Sequence, residues 1–216
     1  MTSIPKETTQ EKLIKAATKV FAEKGFRDAT VRQICKQAGT ANINAVNYYF
    51  GSKEQLYKQI LELIFAEYDK QAPKDFPDKT PEEQLEIYIS TFCKILYQEG
   101  ESDSEATAIL VEEFTKPSAF LEEVVDTFNR PRVKRHLQMF KNLLGKGATD
   151  DMARDCLVSV SGQLLYYSFA RPVFSRLFPD YFAANPHEQW AAHVFKFTMG
   201  GIEAYKRELE TNSGPK

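Results

Sequence analysis

A chain of 216 residues, 43% hydrophobic and 27% charged, has the composition of a globular protein with one core or two small ones, which excludes collagen-like, low-complexity and wholly disordered classes. The net charge of −2 conceals a split by position: residues 1–58 hold ten Lys and Arg against five Asp and Glu, a balance of +5, and the remainder balances at −7. No apolar run is long enough for a membrane span, the N-terminus lacks a signal-peptide core, and the scattered Cys35, Cys93 and Cys156 make neither a disulfide scaffold nor a zinc motif, so a cytoplasmic protein is expected.

Nearly every segment repeats its apolar residues at helical spacing and none sustains an alternation of period two, so the expected fold is all-α. Thr8-x-x-Glu11 is a capping box ahead of Leu13, Ile14, Ala17, Val20 and Phe21, and Gly25 stops that first helix. Thr30 caps a second helix, with Val31, Ile34, Cys35 and Ala38, that ends at Gly39. A third is predicted from about Asn42 to Phe50, and after Gly51, Ser52-x-x-Gln55 caps a fourth carrying Leu56, Ile60, Leu63, Ile64 and Tyr68. Three prolines in 72–81 mark the main loop. The expected division is an N-terminal domain over 1–58 and a second helical domain over 59–216. Further helices are predicted at 81–99, 104–115, 118–144 with a kink or split at Pro131, 150–170 and 186–210, followed by a disordered tail.

Three helices within about forty residues, the second and third joined by a tight turn at Gly39, have the layout of a helix-turn-helix. On the third helix Ile43, Val46 and Phe50 share one arc and form the predicted packed side. Asn44, Ala45 and Tyr48 then point outward, flanked by Asn47 and Tyr49. Amides and phenols on an uncharged outward face suit DNA, since Asn pairs with adenine and a phenol donates to a phosphate oxygen.

The stretches ATVRQICKQAGT and NAVNYYFGSKEQLY, in a head of about sixty residues before a longer helical body, resemble the TetR family of bacterial transcription regulators. The set is specific: a Thr opening the second helix, Ala-Gly at the turn, two aromatics and Phe, then Gly-Ser-Lys-Glu-x-Leu. NINAVNYYFGSKEQLY and the closing HVFKFTMGGIEAY are similar to the CecR-type branch. One departure stands out: eight residues separate Gly39 from Tyr48, one more than in the family's usual turn, which leaves open how Thr40, Ala41 and Asn42 face DNA.

The resemblance implies a phosphate contact for Thr30, a base contact for Arg32, base or thymine-methyl contacts for Ala45, Asn47 and Tyr48, and phosphate contacts for Tyr49 and Lys53. It also implies a pocket in the body for a small apolar or aromatic effector, with Phe92, Tyr97, Phe140, Tyr166, Tyr167 and Phe169 as candidate lining beside Trp190. Most of these residues read as core, as aromatic stripes on helices usually are, and only some as pocket lining. A homodimer contact is implied on the two later helices, with Ser159, Gly162, Gly200 and Gly201 as candidates; glycine inside a helix costs ~1 kcal/mol, so close approach to a neighbour, in the partner or in the same chain, is expected there.

Catalytic and metal readings fail on spacing. None of the three histidines follows a Glu by three residues, no metalloprotease or P-loop pattern occurs, and no cofactor is expected. His136 and the cysteines read as structural residues, and Gly145-Lys146-Gly147 as an interhelical turn. The run Arg130, Arg132, Lys134, Arg135 reads as a solvated face paired with nearby acids, or as the rim of a ligand entrance. The expectation is a ligand-responsive, DNA-binding repressor acting as a homodimer on an inverted repeat of double-stranded DNA, not an enzyme; the alternative is a helical effector-binding or adaptor protein without specific DNA affinity.

Overall fold

The computed structural model describes residues 7–71, 78–96, 101–183 and 187–212, and every regular element among them is helical. Compact packing divides the chain into two units, Met1–Glu67 with Glu99–Val125, and Tyr68–Gln98 with Asp126–Lys216. This differs from the division expected at residue 58: packing places the break in α4 at residue 67 and carries a later stretch of sequence back into the first unit.

The first unit contains α1 (Thr9–Asp28), α2 (Val31–Gln37), α3 (Ala45–Phe50), most of α4 (Lys53–Gln71), α6 (Glu101–Thr115) and α7 (Leu121–Val124). Leu13, Ala17, Val20 and Phe21 of α1 are buried, as are Ile34, Val46, Leu56, Tyr57, Ile60 and Ile109, so most of the apolar positions read from the sequence form this core, while Leu63 of the α4 stripe is 47% exposed. The Thr8–Glu11 capping box is present. At Gly25 the backbone leaves helical geometry, with φ +79°, and a last turn follows to Asp28. The positive φ is what requires glycine there, and Glu112 of α6 fills the space a side chain would take: its Oε2 accepts from Phe26 N at 3.0 Å, and its carboxylate stands where a β-carbon of residue 25 would lie.

The second unit holds the end of α4, α5 (Pro81–Leu96), α8 (Arg130–Leu144), α9 (Asp150–Phe169), α10 (Arg171–Leu177), α11 (Pro179–Ala183) and α12 (His187–Asn212). Leu85, Ile89, Phe140, Leu143, Val160, Leu164 and Val194 are among the residues of its core. Three expectations change here. The 118–144 segment is split, one of the two outcomes expected, but before Pro131: α7 gives way to a π-helical turn, Val125–Asn129, and Pro131 stands in the first turn of α8, where its missing N–H costs nothing. Two short helices, α10 and α11, occupy a stretch between 170 and 186 where no helix is predicted, with Pro172 and Pro179 in their first turns. The final helix runs on to Asn212, into the segment expected to be disordered.

Candidate nucleic-acid interface

Local sequence builds the α2–α3 pair. Thr30 accepts from Gln33 N at 3.3 Å while the Gln33 amide oxygen accepts from Thr30 N at 2.9 Å, a reciprocal cap that fixes the start of α2. Thr30 is exposed, but its hydroxyl also donates to Gln33 Oε1, so the cap occupies both of its functions. Gly39, at φ +67°, carries the chain out of α2 through the left-handed region. Asn42 N then donates to Thr40 Oγ1 and Asn44 N to Asn42 Oδ1, at 3.3 and 3.0 Å. These two side-chain bonds absorb the extra residue in the turn, and α3 begins only at Ala45.

That late start changes the face of α3. Ile43 stands before the helix and is 55% exposed instead of packed, while Ala45 is only 3% exposed and has no open surface to offer a base. The predicted arc treated residues 42–44 as helical and placed both residues wrongly. Val46 is buried and Phe50 half-buried, as expected. Asn44, Asn47 and Tyr48 do lie outward, Tyr48 at 80% exposure with its ring edge-on to the partly exposed Tyr49. Arg32 is exposed on α2.

Lys53, half-buried in the first turn of α4, is committed to the protein itself. Its Nζ donates to Phe26 O at 2.8 Å and to Ala29 O at 2.9 Å, and lies 4.7 Å from the Phe26 ring centroid. One N–H remains for a phosphate. The two carbonyls belong to the α1–α2 corner, so the lysine fixes where α2 starts.

The body candidates do not converge. Phe140 is fully buried in the core, Phe92 and Tyr167 pack against that core, and Tyr167 stacks on the buried Trp190 at 4.5 Å. Tyr166 and Phe169 are exposed, and Tyr97 lies outside the described residues. Ser159, Gly162, Gly200 and Gly201 all face outward, and a β-carbon at any of the three glycines meets nothing within 4 Å, so no contact inside the chain requires them. The cysteines are buried, and burial pushes the Cys93 thiol up to about 12, which suits packing and not redox chemistry.

The basic run on α8 is the largest surprise. Arg130 is solvated and bonded to Asp126, as expected, but Arg132 turns inward with 11% of its side chain accessible. It pairs with Asp69 at 2.9 Å and lies 4.0 Å from the centre of the Tyr68 ring. His136, one turn on, sits 4.2 Å from the Tyr88 ring, and burial beside Arg132 and Arg135 depresses it to about 4. The signal was in the sequence: Arg132, His136, Phe140 and Leu143 recur at four- and three-residue spacing, on the stripe that α8 buries.

Among the described residues no group of His, Cys, Asp and Glu could hold a metal ion, and no helix is long and apolar enough to cross a membrane. A helix-turn-helix with an outward amide-and-phenol face, in a unit distinct from a second all-helical unit, defines the class as a helix-turn-helix protein of DNA-binding architecture. Residues 13–60 match the family described as bacterial regulatory proteins, tetR family, and residues 81–202 match the C-terminal domain of the HTH-type transcriptional dual regulator CecR. The chain therefore belongs to the TetR family, with a CecR-like C-terminal domain, a family of transcription regulators and not of enzymes.

The chain is 37% identical over 87 residues to the HTH-type transcriptional repressor NicS of Pseudomonas putida, covering 39% of this chain and 40% of NicS. It is 51% identical over 55 residues to CecR of Shigella flexneri, covering 26% of this chain and 24% of CecR. These alignments thus span well under half of either relative. In fold it is similar to FadR from Bacillus subtilis, solved in complex with stearoyl-CoA, with a TM-score of 0.67 at 17% identity over 88% of this chain and 97% of FadR.

Proposed function

We propose that this protein is an effector-responsive transcription regulator of the cytoplasm, a repressor that binds an inverted-repeat operator in double-stranded DNA as a homodimer. The observation that carries the reading is the exposed row of Asn44, at the N-cap of α3, with Asn47 and Tyr48 on that helix, and Arg32 exposed on α2, in a head of net charge +5. Arg and Asn read base edges, the phenols and the remaining Lys53 proton meet phosphates, and the positive head supplies the salt-dependent attraction. Thr30 contributes by fixing α2; its backbone N–H is already engaged by Gln33.

A two-fold operator calls for a two-fold protein, and the outward Ser159, Gly162, Gly200 and Gly201, beside the exposed Val158 and Phe197, supply a face on which helices of two copies can approach closely. The name of NicS supports repression, and the stearoyl-CoA complex of FadR supports a small-molecule effector, here without a cofactor or metal. Effector binding in the second unit would favour a dimer whose heads no longer match successive major grooves.

The test is to sequence genomic fragments retained by the purified protein, then titrate the recovered site against random DNA. Arg32→Ala and Asn47→Ala should each cost ~1 to 3 kcal/mol on the recovered site and little on random DNA. Equal losses on both would remove them from base reading, and a protein that retains no fragment at low salt would instead be an effector-binding protein without DNA affinity.

A further inference from the structure

The second unit contains a buried polar cluster that the core does not need. Arg132 Nη2 holds Asp69 Oδ1 at 2.9 Å, and its guanidinium covers the Tyr68 ring. Arg132 Nε is buried with no hydrogen-bond partner. A buried N–H without an acceptor costs roughly 1 to 3 kcal/mol, so this one calls for an acceptor that the protein itself does not supply, a water or a ligand atom. From Tyr68, which the guanidinium covers, a chain of rings runs on: Tyr68 lies 5.7 Å from Phe92, Tyr88 lies 6.1 Å from Phe92, and His136 lies 4.2 Å from Tyr88, centroid to centroid. The Tyr88 hydroxyl is bonded to Ser161 Oγ at 3.2 Å. Asp69, a third of whose side chain is accessible, provides the approach from solvent.

We infer that this cluster is the polar anchor of an effector site, and that it selects a neutral, planar aromatic molecule bearing a carbonyl-type acceptor, a carboxamide rather than a carboxylate. The inference rests on the proposed effector role of the second unit and adds its ligand class. The acceptor takes the Arg132 Nε–H, and the ring lies among Tyr88, Phe92 and His136. Charge decides between the two acceptors. Arg132 is already paired with Asp69, His136 stays uncharged above about 4, and Arg135, the other cation that acts on His136, is exposed to solvent, so no buried cation is left unpaired to offset a second buried anion. A carboxamide brings no charge, and its NH2 can donate to Asp69 Oδ2, which has no partner among the described residues.

Calorimetric titration of the full chain with benzamide and with benzoate tests this, with circular dichroism to verify that each variant is folded. Benzamide should bind at least about tenfold more tightly than benzoate, and Arg132→Lys, which keeps the charge but lacks Nε–H, should weaken benzamide about tenfold or more. Asp69→Asn frees the Arg132 cation and should shift the preference towards benzoate. The site is overturned if neither probe saturates, if benzoate binds better to the wild type, or if the Asp69→Asn protein keeps the wild-type preference. Parallel titration with the recovered DNA separates the two readings. Benzamide that binds through Arg132 without changing DNA affinity counts against the effector role and leaves the site standing; DNA released by other compounds while benzamide never binds leaves the effector role and removes the site.

Discussion

Tyr57 of α4 donates its phenol hydrogen to Glu113 Oε1 of α6 at 2.7 Å, and both residues are buried. The carboxylate's other oxygen accepts from Ser118 N and Oγ, each at 3.1 Å, so a charge that would be expensive alone is satisfied on both sides. Burial and the adjacent Glu113 hold the Tyr57 phenol far above its ordinary titration range, which keeps it a donor at every physiological pH. With Glu112 bonded to Phe26 N, two successive glutamates of α6 hold α4 and the α1 corner, the elements on which the helix-turn-helix stands.

Tyr57→Phe should therefore cost about 1.5 to 3 kcal/mol of stability, the range for a hydrogen bond to a charged group, in denaturant titration. Glu113→Gln keeps an acceptor and should cost less. A Tyr57→Phe protein as stable as the parent would mean that the bond contributes nothing net.

Lys53→Met should have two separable effects. Loss of two charge-assisted bonds to the Phe26 and Ala29 carbonyls lowers the melting temperature, by roughly 1 to 3 kcal/mol in free energy. If the third N–H meets a phosphate, the slope of log affinity against log salt also flattens by about 0.9. A lower melting temperature with an unchanged slope would make Lys53 a purely structural cation.

Gly201→Leu separates dimer from monomer. The position is open within the chain, and leucine favours a helix by about 1 kcal/mol over glycine, so the monomer should not lose stability. Overpacking a close seam between copies typically costs ~1 to 3 kcal/mol, so sedimentation should show a weaker dimer and operator affinity should fall with it. Arg130→Ala is the matched control, since Arg130 is solvated beside Asp126. A variant that stays dimeric at nanomolar concentration would place the interface elsewhere.

His136 makes stability depend on pH with a defined sign. Folding lowers its pKa from 6.5 to about 4, so between those values the unfolded chain binds more protons. Stability must then rise with pH across that window and be fully recovered above 6.5. His136→Gln should remove this part of the slope, leaving carboxylates such as Glu11 and Glu83, whose depressed pKa values act in the same direction. Parallel stability curves for the two proteins from pH 4 to 6.5 would show that the ring titrates normally.

What could be read in the sequence is what neighbouring residues decide. The Thr8–Glu11 and Thr30–Gln33 caps join residues three apart, the stripe Leu13, Ala17, Val20 and Phe21 is one helical face, and Gly39 sits where a left-handed turn is required; such features depend only on backbone geometry within a few residues. The outward Asn47 and Tyr48 belong to the same kind. Tertiary structure decided the rest. The exchange of Ile43 and Ala45 is the exception, since the Thr40 and Asn42 side-chain bonds that delay α3 span only two residues; it was missed because a helical wheel does not contain that local competition. The roles of Lys53, Glu113 and Arg132 depend on partners 24 to 63 residues away, at Ala29 and Phe26, Tyr57 and Asp69. A side chain's charge is written in the sequence, but which buried group it must satisfy is settled only when the chain folds and water is excluded from around it.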